Sequence, residues 1–260
     1  MSTQLNEFSL DFFSLAGKVA IVTGGNTGLG QGYAVALAKA GADLFVVTHG
    51  TNWDETRELI EAEGRRVEFF QADLKDREAI KNIVAACVST YGRIDILVNN
   101  AGTIRRAPLL EYKAEDWDAV MDINLNSVYF LSQEVAKVMV EQKSGKIINV
   151  ASMLSFQGGK FVPPYTASKH AVAGVTRAFA NELAQYGVQT NAIAPGYVET
   201  ANTAPIREDE ARHKEITARI PAGRWATPAD LMGVVVFLAS QASDYMNGHI
   251  LAVDGGWLAR

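Results

Sequence analysis

Cysteine is nearly missing from this chain: one residue, Cys87, among 260. A single thiol excludes an internal disulfide, so the fold closes on packing alone; this suits a reducing compartment, and a cytoplasmic location is the expectation. Cys87 itself sits in an apolar helical pattern and reads as core. Histidine is scarce too, and His49, His170, His213 and His249 are scattered without ligand spacing. No metal site is therefore expected, and a chelator should leave any activity unchanged. Long apolar runs are also lacking. The longest, Leu231 to Ala239, is far short of the roughly 20 residues that cross a bilayer, so no membrane partner is expected. The opening MSTQLNEFSLDFF has no basic stretch and carries Glu7 and Asp11, unlike a secretory signal. Basic tracts are absent, and 24 Lys and Arg stand against 29 Asp and Glu for a net charge of −5. Nucleic acid is not an expected partner.

What is present is an ordinary globular balance, 48% hydrophobic and 20% charged, over a length that one α/β domain can occupy. Short β-branched runs alternate with helical patterns. Lys18–Thr23 (KVAIVT), Leu44–Thr48, 66–70, Ile94–Val98, Lys146–Val150 (KIINV), Gln189–Ala194 and His249–Val253 read as strands. Segments 53–63, 76–91, 116–141, 165–186 and 228–239 read as helices. Alternation of this kind means a Rossmann-like, doubly wound parallel sheet of about seven strands with helices on both faces. Right-handed crossovers then bring every strand's carboxyl end to one edge. Residues 1–16 read as an N-terminal arm and 17–260 as a single dinucleotide-binding and catalytic domain. Within it a polar, weakly periodic substrate-loop segment near 198–225 has the character of a lid, and Asp254–Arg260 reads as a short tail.

The first strand runs into Gly24-Gly25-Asn26-Thr27-Gly28-Leu29-Gly30 and then a helix. Glycines there let backbone approach a phosphate, and the free N–H groups of the helix face the anion. A glycine loop also serves turns and packing, but its place between strand and helix favours a cofactor cradle formed by Gly24, Asn26, Thr27, Gly28 and Leu29. An acidic residue at the end of the second strand would bond a ribose 2′-hydroxyl, and a basic one a 2′-phosphate. Thr48-His49-Gly50 is neither. With no Arg or Lys in the glycine loop, NAD(H) is favoured over NADP(H), although His49 could reach a phosphate. Asp73 and Leu74, past the third strand, are candidates for the adenine, with Asp73 equally a turn or cap residue. Asn99-Asn100-Ala101-Gly102 makes a tight turn after the fourth strand, and Asn100, Ala101 and Gly102 join the candidate cofactor set. Arg105 and Arg106 follow at the strand's carboxyl end, where either could grip a carboxylate or simply be solvated. Asn124, inside a long helix that asparagine does not favour, invites a hydrogen-bonding explanation.

The densest chemistry lies in SMLSFQGGKFVPPYTASK, 152–169. Pro163 and Pro164 suit a first helical turn, and Tyr165 and Lys169 then share one helical face at i and i+4. Moving a proton to or from a carbonyl oxygen near neutral pH asks for an acid/base of pKa near 7. Free Tyr lies near ~10, so the phenolate needs about 4 kcal/mol of differential stabilisation. A helix N-terminus supplies roughly 0.3–2 kcal/mol, and a cation at ~4 Å in a half-dry cleft about 4 kcal/mol. Lys169 is placed to be that cation, and Ser152 to donate to a substrate oxygen.

These motifs together (TGGNTGLG at 23–30, NNAG at 99–102, Asn124, Ser152, YTASK at 165–169 and PGYVET at 195–200) resemble the short-chain dehydrogenase/reductase family over essentially the whole chain. The resemblance implies a catalytic tetrad of Asn124, Ser152, Tyr165 and Lys169. In it Tyr165 exchanges the proton and Ser152 positions the carbonyl. Lys169 binds the nicotinamide ribose and lowers the Tyr pKa, and Asn124 holds a water linking Lys169 to solvent. It further implies that the turn carrying Pro195, Gly196, Val198 and Thr200 holds the nicotinamide carboxamide. It also implies a homotetramer whose last helix and strand pack across a two-fold axis. VASMLSFQGG, RIPAGRW at 219–225, SDYMNG at 243–248, AVDGGWLAR at 252–260 and IRR at 104–106 are similar to the branch of bacterial 2-dehydro-3-deoxy-D-gluconate 5-dehydrogenases. That branch implies a sugar-acid substrate in uronic acid breakdown, from pectin or glycosaminoglycan. Gln157, Tyr197 and Asn202 are candidate polar contacts for it beside Arg105, Arg106, Ser152 and Tyr165. The alternatives are a gluconate 5-dehydrogenase or 2-deoxy-D-gluconate 3-dehydrogenase type of enzyme and, outside catalysis, an inactive cofactor-binding regulator.

Overall fold

A strand buried on both faces can be apolar at every position, because successive side chains point to opposite sides of the sheet. The computed structural model describes residues 9–260; of its seven strands the inner ones are of this kind and the two at the edges are partly exposed. The seven are β1 (Val19–Thr23), β2 (Asp43–Thr48), β3 (Val67–Gln71), β4 (Ile96–Asn99), β5 (Gly145–Val150), β6 (Val188–Pro195) and β7 (Ile250–Val253). They form one seven-stranded sheet in the order β3-β2-β1-β4-β5-β6-β7, with every pairing parallel. The doubly wound sheet expected from the sequence is thus the fold observed. Ala20, Val22, Leu44 and Val46 face one core, which also holds Tyr33, Leu37, Val235 and Leu238. Val19, Ile21, Phe45 and Val47 face the other, with Ile80, Ile83, Leu131 and Val135. Cys87 is fully buried in that second core, and burial pushes its thiol up to about 12, which makes it inert packing. Strand order reverses between β1 and β4, and in such sheets the crevice at the strands' carboxyl ends is where ligands bind.

The helices are α1 (Gly28–Lys39), α2 (Asp54–Glu61), α3 (Arg77–Tyr91), α4 (Ala114–Met121), α5 (Ser127–Gln142), α6 (Pro163–Leu183), α7 (Ala204–Arg207), α8 (Glu210–Arg219) and α9 (Met232–Ala239). Several depart from the pattern-based reading. The single helix expected over 116–141 is two, α4 and α5, joined by a π-helical turn at Asp122–Asn126. The residues around Asn124 are what break it, as shown below. Helix α6 starts two residues before Tyr165, with both prolines in its first turn, and a 3₁₀ turn at Ala184–Tyr186 follows it. The weakly periodic segment near 198–225 contains α7 and α8. Helix α8 buries only Ile216, so it has no apolar stripe from which to read a period. The last helix is a 3₁₀ turn, Pro228–Leu231, followed by α9. The expected tail 254–260 is packed: Asp254 accepts from the N–H groups of Gly256 and Leu258, and Trp257 is buried beside Tyr197. Of the arm expected over 1–16, residues 1–8 lie outside the described residues. In the remainder Leu15 is buried in the first core, its N–H donating to the Ala40 carbonyl at 2.8 Å.

The turn between β1 and α1 tolerates no side chain at Gly30. A Cβ there would stand 2.0 Å from the Gly24 carbonyl oxygen and 2.4 Å from Asn100 Nδ2. Gly30→Ala should therefore cost roughly 1–3 kcal/mol, a fall of about 2–10 °C in Tm, measured by thermal denaturation. A wild-type Tm would mean that this turn is not tightly packed.

Candidate active site

The reversal in strand order opens a cleft of about 1370 Å³ along the carboxyl edge of the sheet. One end is the glycine loop. Gly24 and Gly28 have φ of 62° and 55°, left-handed values that favour glycine. Thr27 is the N-cap of α1, yet its side chain makes no capping bond, which leaves the first N–H groups of the helix for another acceptor. The loop is clamped from below by Thr23. Its Oγ1 accepts from the N–H groups of Asn100 and Ala101, both at 3.0 Å, while Asn100 Nδ2 donates to the carbonyls of Thr23 and Gly24 at 3.0 and 3.2 Å. The glycine loop and the Asn-Asn-Ala-Gly turn are therefore one unit. Sequence reasoning missed Thr23 because its partners lie 77 and 78 residues away.

The other candidate cofactor residues are placed as follows. Asn26, Leu29, His49, Asp73, Leu74, Ala101 and Gly102 line the cleft with the glycines, and so do Gly196 and Thr200 from the turn after β6. Pro195 and Val198 do not. Pro195 ends β6 opposite Val253, and Val198 is 3% exposed in the first core, forming a β-bridge to Ala226. His49 is exposed at the end of β2, its carbonyl accepting from Gln71 Nε2 at 2.9 Å. Open glycine backbone, an uncapped helix start and an asparagine-braced floor fit the pyrophosphate of a dinucleotide.

Tyr165, Lys169 and Ser152 meet where β5 ends and α6 begins, and all three line the same cleft. Ser152 caps a 3₁₀ turn, its Oγ accepting from Leu154 N at 3.1 Å. Ser155 Oγ donates to the Lys169 carbonyl at 2.7 Å, tying that turn to α6. Lys169 is buried and its Nζ donates to the Val150 carbonyl at 2.6 Å; it also lies 5.5 Å from the centre of the Tyr165 ring. Burial pushes its ammonium down to about 8. Burial also raises the Tyr165 phenol above its ordinary value, and a hydrogen bond with Ser152 and the charge of Arg106 offset only part of that rise. Lys169 is not among the groups that lower it. In a dry site both charged forms are disfavoured, and the ammonium is directed at a backbone carbonyl instead of the phenol oxygen.

Asn124 is fully buried and does not line the cleft. Its Oδ1 accepts from Thr103 N at 2.8 Å, and its Nδ2 donates to the Thr103 carbonyl at 2.9 Å and Ser168 Oγ at 3.2 Å. The mid-helix asparagine thus has its hydrogen-bonding reason: it pins the loop after β4 to α6, and the π turn presents it. At the far end of the cleft lie Arg105, Arg106, Gln157, Tyr197 and Asn202. The two arginines separate clearly. Arg105 pairs with Asp116 at 3.5 Å and bonds Thr103 Oγ1 at 3.1 Å. Arg106 donates to the Asn202 carbonyl at 3.2 Å and has no ion pair among the described residues. Trp257, from the supposed tail, lines the same end. No cluster of three or more His, Cys, Asp or Glu residues able to hold a metal ion occurs among the described residues.

Residues 24–258 match the family described as enoyl-(acyl carrier protein) reductase. The chain is a short-chain dehydrogenase/reductase. As a member it is an oxidoreductase acting on CH–OH groups with a nicotinamide cofactor. It is 57% identical over 255 residues to the 2-dehydro-3-deoxy-D-gluconate 5-dehydrogenase of Escherichia coli, covering 96% of this chain and 99% of that one. It is 56% identical over 250 residues to the Bacillus subtilis protein of the same name, at 96% and 98% coverage. A solved structure from Agrobacterium tumefaciens, provisionally named a 2-deoxy-D-gluconate 3-dehydrogenase and holding NADP, superposes with a TM-score of 0.90 at 51% identity, over 95% of this chain and 99% of that one.

Buried Lys169 makes a thermodynamic prediction. Its pKa falls from 10.5 to about 8 on folding, so between those values the folded state binds fewer protons and stability rises with pH. The stability difference between wild type and Lys169→Met should therefore shift in favour of wild type by on the order of 3 kcal/mol from pH 7.5 to pH 10.5. Denaturant titration at several pH values measures it. A difference independent of pH would mean that the ammonium is not desolvated.

Proposed function

We propose that this dehydrogenase interconverts 3-deoxy-D-glycero-2,5-hexodiulosonate and 2-dehydro-3-deoxy-D-gluconate in uronic acid catabolism, with Tyr165 as the acid/base and NAD(H) preferred over NADP(H). The reading rests above all on one juxtaposition: a proton-bearing phenol backed by Ser152 and Lys169 shares a cleft with Arg106, a guanidinium without a carboxylate partner among the described residues. A ketone needs the first group of residues. A sugar acid, being an anionic polyol, also needs the second. Two relatives more than half identical carry that activity in their names, which supports the substrate class.

A dinucleotide held by the glycine loop, the Asn100–Gly102 turn and the turn after β6 would supply the hydride in the reducing direction. The protein's part is the proton. The raised Tyr165 keeps its phenol protonated at neutral pH, ready to donate to the developing alkoxide. Ser152 would donate a hydrogen bond to the same oxygen. Lys169, charged below about pH 8, then sits beside the new phenolate and Arg106 adds its field. Asn124 would hold the floor of the site by fixing Thr103 against α6. The dinucleotide would lie from the α1 start, past Asn100–Gly102, to the Gly196–Thr200 turn. The NAD(H) preference is supported by the absence of Arg and Lys from both Gly24–Gly30 and Thr48–Asn52. Lys75, which reaches the cleft, is paired with Asp73 at 3.6 Å. A homotetramer in the cytoplasm completes the reading. The gluconate 5-dehydrogenase or 2-deoxy-D-gluconate 3-dehydrogenase type of reaction is the competing assignment, favoured by the name of the Agrobacterium structure.

A panel of sugar-acid ketones assayed with NADH and NADPH decides between them. The 2,5-diketo acid should be reduced with the highest kcat/KM, at least about tenfold better with NADH. Tyr165→Phe should lose roughly 10²–10⁴ in kcat while binding NADH within about threefold of wild type. A substrate order led by 5-ketogluconate, or a fully active Tyr165→Phe variant, would contradict the assignment or the mechanism respectively.

A further inference from the structure

A second arginine reaches the substrate end of the cleft, and among the described residues it has no ion pair. Arg212 lies in the first turn of α8. Its backbone N–H is bonded at 3.0 Å by the capping carboxylate of Asp209, which fixes where the helix starts. Its side chain lines the cleft with Arg106. Among the described residues no carboxylate lies within 4.0 Å of either guanidinium. The neighbouring arginines are all engaged. Arg105 pairs with Asp116, Arg207 bonds the Thr200 carbonyl at 3.1 Å, Arg219 stacks at 3.8 Å on Trp257, and Arg224 pairs with Asp230 at 2.7 Å. Asp209, which caps α8, and Glu215 line the same cleft, and neither carboxylate lies within 4.0 Å of the Arg212 guanidinium.

Arg106 and Arg212 come from different elements, the loop after β4 and helix α8, and the charge of Arg106 is disfavoured by its burial and then by the charge of Arg212. Both act on the Tyr197 phenol, and Arg106 also on Tyr165. Two cations that have no ion pair among the described residues and line one cleft beside the reacting phenol are unfavourable until an anion lies between them. We propose that the substrate carboxylate is held between Arg106 and Arg212, which makes Arg212 a specificity-determining residue and couples α8 to the presence of an acid. This inference rests on the sugar-acid reading above. Arg106 alone would select acids while leaving 201–225 indifferent to substrate. With Arg212, the carboxylate links that segment to the loop after β4.

The test compares Arg106→Gln, Arg212→Gln and the double variant on a sugar-acid ketone and on its methyl ester. Arg212→Gln should raise KM for the acid roughly 10- to 100-fold, the scale of one charge-assisted bond, and raise KM for the ester less than about threefold. Because both cations hold one carboxylate, the double variant's effect should fall short of the product of the single effects. Arg212→Lys should recover part of the loss. Independently of turnover, hydrogen exchange over 204–219 in Tyr165→Phe should slow when D-gluconate is added and should not slow when Arg212 is also Gln. Normal acid KM in Arg212→Gln, multiplicative effects, or equal losses for acid and ester would each overturn the clamp while leaving the sugar-acid assignment standing. A wild-type enzyme that reduces neutral ketones but no sugar-acid ketone would overturn both.

Discussion

The buried bond from Lys169 Nζ to the Val150 carbonyl, 2.6 Å long, joins the end of the inner strand β5 to the helix that carries Tyr165. It fixes where the phenol stands relative to Ser152, which leaves the same strand end. The burial that encloses it governs the charge state of the site, pushing the Lys169 ammonium from 10.5 down to about 8. Burial alone would make both Tyr165 and Lys169 poor carriers of charge. The consequence is a phenol that keeps its proton until an acceptor arrives, next to a cation that is present only below about pH 8. In the proposed reaction that state is suited to protonating a ketone, and the cation becomes useful once the phenol has turned negative.

The cofactor half of the cleft depends on a similar economy of parts. Thr23 accepts two backbone N–H groups from the turn after β4, and Asn100 returns two bonds to the loop after β1. The topological switch point, where adjacent strands diverge, is thereby closed underneath and left open above. Asn124 performs the corresponding task on the substrate side through Thr103 and Ser168. Behind it, Asn99 bonds Ser132 and Asn149, and Asn149 bonds Thr176, each at 2.8–2.9 Å within the core. Satisfied polar chains of this kind fix one packing of β4, β5, α5 and α6 against alternatives.

Much of this was legible in the residues. Runs such as KVAIVT and KIINV can only be buried strands, the glycines after the first punctuate it, and Pro163-Pro164 announces a helix two residues before the reactive Tyr. The sheet, its edge and the location of the cleft follow from those signals. What escaped detection was decided by contacts distant in sequence. Helix α8 has one buried residue, so no periodicity marks it. Trp257 looks like a terminal residue until Tyr197 and Arg219 enclose it. The break at Asp122–Asn126 is imposed by partners 21 and 44 residues away. Which of Arg105 and Arg106 is free depends on Asp116, whose side chain reaches back across a loop. The i, i+4 spacing of Tyr165 and Lys169 was legible, but the direction of the ammonium was not. Spacing along a helix gives proximity, whereas burial and the carbonyl of Val150 decide where the charge is directed.

The pH profile of ketone reduction probes the Lys169–Tyr165 arrangement more directly than any single substitution. If a charged Lys169 must receive the phenolate, kcat/KM should hold steady at neutral pH and fall as pH rises through about 8, where the ammonium is lost. In Lys169→Arg, whose guanidinium does not deprotonate in this range, that falling limb should disappear or move above pH 10 at whatever activity the variant retains. A wild-type profile that stays level to pH 10, or a limb near 8 that survives the Arg substitution, would contradict the account.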